Sequence, residues 1–320
     1  MQNVSAVSAD DALPAWAITD GEGDAIHLSS KDLLAYSRVE ADRKVRPATD
    51  FTKDVMDFYL SGEKISGIRL PWSILDSKFR LREEEITVLS GINGSGKSLL
   101  ASQWILGAMS QGYQCLSVSL EMSPKAQLAR MWRQASLKVE PTMDYGLGFN
   151  YWTKGKLWFF DQQGSVDLTT LIAVIRWSSE NCGTNFVLVD SLMTMAIASD
   201  DYNGQKQCIC ALASVARELG IHVLLITHAR KGANVKDRLD RWSIRGASEI
   251  ADRADNIFLL GRTFEPDYMT PDAYLTLAKA RHFDGAECDI DLWLDHASMN
   301  YHTANEEPQK LELEDEVDRS

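Results

Sequence analysis

Short apolar runs alternate with longer segments of helical periodicity from residue 85 onward. The apolar runs are bounded by polar residues, which predicts buried strands at 85–89, 114–120, 157–160, 186–190, 222–227 and 256–260. The segments between them repeat apolar residues at helical spacing, which predicts helices at 99–109, 125–135, 168–179, 206–219 and 248–253. Strands that alternate with helices favour a mainly parallel sheet with helices on both faces. We therefore predict an α/β fold.

The two ends of the chain depart from this alternation. Residues 274–278 and 289–294 are both strand-like, with no helical segment between them, which predicts a terminal antiparallel pair. Residues 51–60 carry apolar side chains close to helical spacing, and Asp50 is a candidate N-cap, so we predict a helix there. Residues 1–50 are polar with weak periodicity, and we predict that their beginning is disordered.

Length and composition limit the number of domains. A chain of 320 residues holds one large α/β domain with an extension, or two smaller domains, and its 45% apolar content supports a full core. We divide it into an N-terminal extension at 1–70, a core at 71–304 and an acidic, disordered tail at 305–320.

Targeting and cysteine signals favour a cytoplasmic protein of a bacterial or phage-infected cell. No run of 18 apolar residues is present, so we expect no transmembrane helix and no membrane partner. The first eleven residues lack the basic and apolar regions of a signal peptide. The five cysteines form no C-x-x-C pair, which argues against a zinc site or a disulfide framework.

Charge is unevenly distributed along the chain. The net charge of −13 argues against a protein that coats nucleic acid through bulk charge. Residues 230–245, however, hold six basic and two acidic side chains, which indicates a local contact with a polyanion. Residues 306–320 hold seven acidic and two basic side chains. This acidic segment is either an interaction tail or a solvated tail that aids solubility.

One motif carries specific chemistry. The segment Gly91-Ile92-Asn93-Gly94-Ser95-Gly96-Lys97-Ser98 fits the phosphate-binding pattern G-x-x-x-x-G-K-[ST], between a predicted strand and a predicted helix. Its backbone N–H groups and the helix N-terminus suit phosphate oxygens. Lys97 is expected to reach the β- and γ-phosphates, and Ser98 to bind Mg²⁺. We predict that the chain binds a nucleoside triphosphate through Gly91, Asn93, Gly94, Ser95, Gly96, Lys97 and Ser98.

Three polar residues follow predicted strands, at the edge where ligands of parallel sheets bind. Glu121 suits the general base that orients the attacking water, or it is a surface residue that caps the next helix. Asp190 ends an apolar run as the Mg²⁺-binding aspartate of such proteins does, or it caps a helix. His228 suits a sensor of the γ-phosphate, or it is structural.

Further motifs resemble one family. Ser119-Leu120-Glu121-Met122, followed by a helix with Arg130 and Arg133, resembles the DnaB-type replicative helicases. The segment 227–232 (Thr-His-Ala-Arg-Lys-Gly) resembles their branch of phage primase–helicases and the mitochondrial helicase Twinkle. Segments 244–248 and 254–256 resemble the family's DNA-binding loop and the strand after it, and 278–281 (Ala-Lys-Ala-Arg) its basic finger. The matches follow the family's order from about residue 70 to about residue 300.

The resemblance implies a RecA-like core that assembles as a ring, usually a hexamer, with ATP and Mg²⁺ at each subunit interface. It implies that Glu121 is the base, that Asp190 serves the metal and that His228 senses the γ-phosphate. Arg281, with Lys279, would complete the neighbouring subunit's site, although both also suit ordinary strand-edge charge. Loops in a central channel would hold single-stranded DNA through Arg245 and Gly246, and more loosely through Lys231, Lys236, Arg238 and Arg241. Each of these basic residues also suits a solvated loop.

These implications favour an ATP-dependent replicative DNA helicase that translocates 5′–3′ on single-stranded DNA and unwinds duplex. The alternatives are a RecA-like loader or recombination mediator without strong unwinding, and a nucleotide switch. The family's primase part is not recognisable, so a separate primase or polymerase is a candidate partner of the acidic tail. Residues 51–60 resemble the linker helix that docks on a neighbouring subunit, or they pack on their own core.

Overall fold

The computed structural model describes residues 47–60, 66–162, 164–191, 201–229, 247–263, 269–282 and 288–313, and the backbone alone at 16–19 and 25–28. The predictions that fall outside these ranges stay predictions. Among them are the six DNA-binding candidates Lys231, Lys236, Arg238, Arg241, Arg245 and Gly246.

One sheet runs through the described part of the chain. Its eleven strands lie in the order β11-β10-β9-β8-β3-β7-β6-β4-β5-β1-β2. The strands are β1 Trp16–Thr19, β2 Ala25–Leu28, β3 Ile86–Gly91, β4 Cys115–Ser119, β5 Leu157–Asp161, β6 Phe186–Asp190, β7 His222–His228, β8 Asn256–Arg262, β9 Ala273–Ala280, β10 Cys288–Asp295 and β11 Asn300–His302. The six strands from β8 to β5 are parallel, and the outer ones are antiparallel.

Helices cover both faces of this sheet. They are α1 Thr52–Leu60, α2 Lys97–Ser110, α3 Pro124–Ser136, α4 Met143–Thr153, α5 Leu168–Cys182, α6 Tyr202–Leu219 and α7 Ala247–Arg253. Apolar side chains of α2, α3 and α4 pack in one core cluster, and those of α5, α6 and α7 in a second. None of these described helices combines the length and the apolar character needed to cross a bilayer.

The predicted architecture is confirmed at its centre. β3 is buried along its whole length, as a strand covered on both faces must be. β9 and β10 form the predicted antiparallel pair. The sequence pattern missed the β1–β2 hairpin, which adds to the sheet beside β5.

Helix α4 is a second difference from the predicted pattern. Pro141, Gly146 and Gly148 indicate an irregular stretch, yet the structure has a helix that Thr142 caps by accepting a hydrogen bond from the Tyr145 backbone. Gly146 is required by packing, because a Cβ atom at this position would overlap the ring of Trp132. The glycine therefore allows close helix contact and does not break the helix.

The first part of the predicted disordered tail lies against the core. The backbone N–H of Leu311 donates to the carbonyl of Ala135 at 2.9 Å, and the Tyr145 hydroxyl donates to the carbonyl of Leu311 at 3.0 Å. Leu311 and Leu313 pack against the same core cluster as α2. Because these two leucines anchor the segment despite its acidic neighbours, disorder is not the state of residues 306–313. Residues 314–320 lie outside the described ranges.

Candidate nucleotide site

The phosphate-binding loop connects the end of β3 to the start of α2. Gly94 and Gly96 have φ angles of 76° and 92°, in the left-handed region that favours glycine. A Cβ atom at Gly91 would overlap the carbonyl oxygen of Leu260 on the neighbouring strand. The spacing of glycines in the motif is therefore explained by the backbone conformation and by close packing.

Lys97 is buried in this loop. Its side chain is 5% exposed, and its Nζ atom donates to the carbonyls of Gly91 at 3.0 Å and Ile92 at 2.9 Å. Burial lowers the pKa of Lys97 to about 8, although the negative charges of Asp190 and Glu121 oppose this shift. The site thus holds a cation that the protein alone stabilises poorly and that phosphate oxygens would stabilise well.

Asp190 and Ser98 form the candidate metal site. Asp190 ends β6 and is 3% exposed. Burial raises the pKa of its carboxyl group, whereas a hydrogen bond donated by the Ser98 hydroxyl lowers it. A hydroxyl and a carboxylate that already touch are the oxygen ligands that Mg²⁺ prefers, so this pair fits the ion.

Glu121 lies two residues beyond β4, close to the ends of β6 and β7. Ser191 donates a hydrogen bond from Oγ to Oε1 of Glu121 at 2.9 Å, and His228 Nε2 lies 3.7 Å from the same oxygen. The hydrogen bond with His228 lowers the pKa of Glu121, burial opposes this effect, and the bond from Ser191 adds to it. The carboxylate is therefore held ionised, as a general base must be.

Lys279 and Arg281 lie at the opposite edge of the sheet. Lys279 Nζ donates to the carbonyls of Ala251 and Ala254, both at 2.7 Å, at the end of α7. Arg281 forms an ion pair with Asp255 at 2.7 Å, where β8 begins. Because β9 is antiparallel to β8, the length of β3 separates these cations from the phosphate loop, about 17 Å at 3.3 Å per residue.

The structure thus brings some of the candidates together and not others. Lys97, Ser98, Glu121, Asp190 and His228 share one edge because the carboxyl ends of parallel strands meet there. Lys279 and Arg281 do not reach that edge within their own chain. The roles of all seven residues stay predictions.

Two further residues at the site were not predicted as functional. Arg130 of α3 has an Nη1 atom that is buried without a hydrogen-bond partner among the described residues, and the charge of Asp190 acts on its guanidinium. The sequence names Arg130 only through the family motif. Tyr301 of β11 contacts the phosphate loop itself, and no local sequence signal indicates this contact.

Comparison with known proteins agrees with this geometry. The model of the AAA domain family matches residues 73–234, just over half of the chain. The solved ATPase domain of a phage helicase superposes with a TM-score of 0.70 at 18% identity, over 81% of this chain and 99% of that one. A DnaB-like replicative helicase, whose structure was described with its interactions with primase, superposes with a TM-score of 0.66 at 18% identity, over 82% of this chain and 68% of that one. The chain therefore belongs to the AAA domain family and is a P-loop ATPase with the fold of the DnaB-type replicative helicases.

Proposed function

We propose that this protein is an ATP-driven DNA helicase that forms a ring on single-stranded DNA, with each nucleotide bound between two subunits. The separation of two halves of one site carries the proposal. Lys97, Asp190 and Glu121 lie at the carboxyl edge of the parallel strands, and Arg281 lies at the amino edge. A finger on this edge serves a nucleotide only if a neighbouring subunit presents that nucleotide.

The amino edge has the features that such a contact needs. Arg281 is 38% exposed and lines a recess of about 1570 Å³, together with Arg217, Asp255 and His282. Asp255 is 3% exposed and pairs with Arg281, so the cation stays oriented toward this recess. A guanidinium supplied from a neighbour is a recurrent means of stabilising the charge that develops during phosphoryl transfer.

Exposed apolar side chains support self-assembly. On α4, Met143, Leu147 and Tyr151 are 69%, 60% and 63% exposed, and their spacing of four places them on one helical face. All side chains described in α1 are also exposed, Val55 and Met56 among them. Apolar stripes of this kind usually mark contact surfaces. We therefore favour α1 as a linker helix that docks on α4 of the neighbouring subunit over its packing on its own core.

The chemistry follows from the carboxyl edge. Lys97 and the loop N–H groups bind the phosphates of ATP, and Ser98 with Asp190 holds Mg²⁺, which neutralises phosphate charge. Glu121 orients the attacking water and accepts its proton. His228 contacts the γ-phosphate, and Arg281 of the neighbouring subunit completes the site.

Coupling to DNA is proposed through two loops that start at this site. The chain leaves β6 just after Asp190 and leaves β7 just after His228, so the metal ligand and the sensor each adjoin one loop. The second loop contains the basic candidates Lys231, Lys236, Arg238 and Arg241, followed by Arg245 and Gly246. A change at His228 on loss of the γ-phosphate therefore passes directly to the DNA-binding segment. We further propose a separate primase or polymerase as a partner of the acidic tail.

The test is ATP hydrolysis and strand displacement by the full chain, with and without single-stranded DNA. We expect stimulation of hydrolysis by single-stranded DNA and unwinding of a forked duplex, both lost in Lys97→Ala. DNA-stimulated hydrolysis without unwinding would instead favour a loader. Hydrolysis that ignores DNA would contradict the proposal.

A further inference from the structure

Tyr301 joins the C-terminal end of the core to the phosphate loop. The Tyr301 side chain is 4% exposed, and its hydroxyl donates a buried hydrogen bond of 3.1 Å to the carbonyl of Ser95. The ring lies against Gly96, where a Cβ atom would overlap the Tyr301 hydroxyl. A residue at the far end of the chain thus touches the centre of the nucleotide-binding motif.

The contact fixes the orientation of one peptide unit. The Ser95 carbonyl and the Gly96 N–H belong to the same planar trans peptide, so they point in opposite directions. With the carbonyl held by Tyr301, the Gly96 N–H is directed to the other side of the loop. If this peptide rotated, a carbonyl oxygen would take the place of an N–H donor and repel phosphate oxygens. The left-handed φ of Gly96 makes alternative backbone conformations readily accessible.

Tyr301 is itself held firmly. Its backbone N–H donates to Gln103 Oε1 at 3.0 Å, and its carbonyl accepts from Gln103 Nε2 at 2.8 Å. Gln103 belongs to α2, the helix that begins at Lys97. The carbonyl also accepts from Trp72 Nε1 at 3.4 Å. The tyrosine is therefore anchored to the same helix whose N-terminus faces the phosphates.

The geometry points to Tyr301 as a positioning residue for nucleotide binding, which acts by aiming the Ser95–Gly96 peptide so that its N–H faces the phosphates. The inference rests on the proposed binding of nucleotide by this loop. It concerns the ground state of the loop, because Tyr301 contacts neither Glu121 nor Asp190 among the hydrogen bonds and ion pairs of the described residues. The affinity for phosphate-bearing ligands depends on Tyr301, and the chemical step does not.

The test compares Tyr301→Phe with Tyr145→Phe in the full chain. Tyr145 is a matched control, because its hydroxyl also donates to a backbone carbonyl, that of Leu311, at 3.0 Å but away from the loop. Each variant keeps its ring and loses one hydrogen bond. The probes are the Kd of Mg²⁺–ADP, KM and kcat for ATP, and the melting temperature.

We expect Tyr301→Phe to raise the Kd for ADP and the KM for ATP about five-fold, the effect of losing one ordinary hydrogen bond. The kcat should stay within about two-fold of wild type, and Tyr145→Phe should leave Kd and KM unchanged. An unchanged Kd in a folded Tyr301→Phe protein would overturn the inference, and so would an equal rise in both variants. Failure of the wild type to bind ADP would instead contradict the proposed function.

Discussion

His228 Nε2 lies 3.7 Å from Glu121 Oε1, so the ends of β7 and β4 meet beside the phosphate loop. The two residues are far apart in the chain, and the parallel sheet brings them together through β6, which lies between their strands. The pair links the candidate base to the candidate sensor of the γ-phosphate. Loss of the carboxylate should therefore affect turnover much more than binding.

Glu121→Gln should bind ATP with near wild-type affinity and hydrolyse it at least about 100-fold more slowly, because an amide cannot accept the proton of water. Steady-state hydrolysis and equilibrium binding of ATP measure the two effects. Glu140→Gln, an exposed position just beyond α3, is the matched control and should change neither. Near-normal turnover by Glu121→Gln would exclude Glu121 as the base.

Nucleotide affinity should fall as pH rises above about 8. Lys97 has its pKa lowered to about 8 by burial, so in the free protein it loses its proton above that pH. Bound phosphate favours the charged form, and binding should therefore take up a proton, with affinity falling up to about ten-fold per pH unit. Calorimetry of ADP binding in buffers of different ionisation enthalpy measures this uptake. Lys97→Arg stays charged and should lose the pH dependence, whereas an unchanged wild-type Kd across this range would contradict the account.

The two left-handed glycines of the loop should differ in their tolerance of a side chain. Gly94→Ala meets no described atom within 4 Å and should lower the free energy of unfolding by about 1 kcal/mol through its φ angle alone. Gly96→Ala also meets Tyr301, so it should lower that free energy by about 2–3 kcal/mol and weaken ADP binding more than about ten-fold. Denaturant unfolding and ADP titration compare the two. Equal effects would show that Tyr301 does not constrain this position.

Assembly should depend on the exposed face of α4. Leu147→Asp introduces a charge at a side chain that is 60% exposed, so it should reduce the oligomer fraction while changing the melting temperature by no more than about 2 °C. Sedimentation velocity with ATP and single-stranded DNA measures the oligomer. Ile74→Asp, at a position 45% exposed, is the control and should assemble normally. Normal assembly of Leu147→Asp would remove α4 from the interface.

The sequence predicted those parts of the fold that local patterns encode. Apolar runs located the six parallel strands, and residues placed just after those strands, such as Glu121 and His228, meet because the topology requires it. Tyr301 could not be predicted, since its contact with Ser95 spans 206 positions and depends on tertiary packing. The glycines of α4 misled for a related reason, because the ring of Trp132 that Gly146 accommodates belongs to another helix. The edge position of Arg281 also needed the strand register.

The central claim, that each site is built by two subunits, is tested most directly by mixing Glu121→Gln with Arg281→Ala. Each variant alone should be nearly inactive. In mixed rings, an Arg281→Ala subunit supplies an intact phosphate loop and base, and a Glu121→Gln neighbour supplies an intact finger. A control mixture of Glu121→Gln with Lys97→Ala should stay inactive, because both defects fall on the same side of the interface.

The measurement is DNA-stimulated ATP hydrolysis of the mixture, with co-assembly verified by differently tagged subunits. The account predicts that hydrolysis recovers to a substantial fraction of wild type in the first mixture and not in the control. No recovery despite proven co-assembly would contradict it and leave Arg281 without a role in the neighbouring subunit's site.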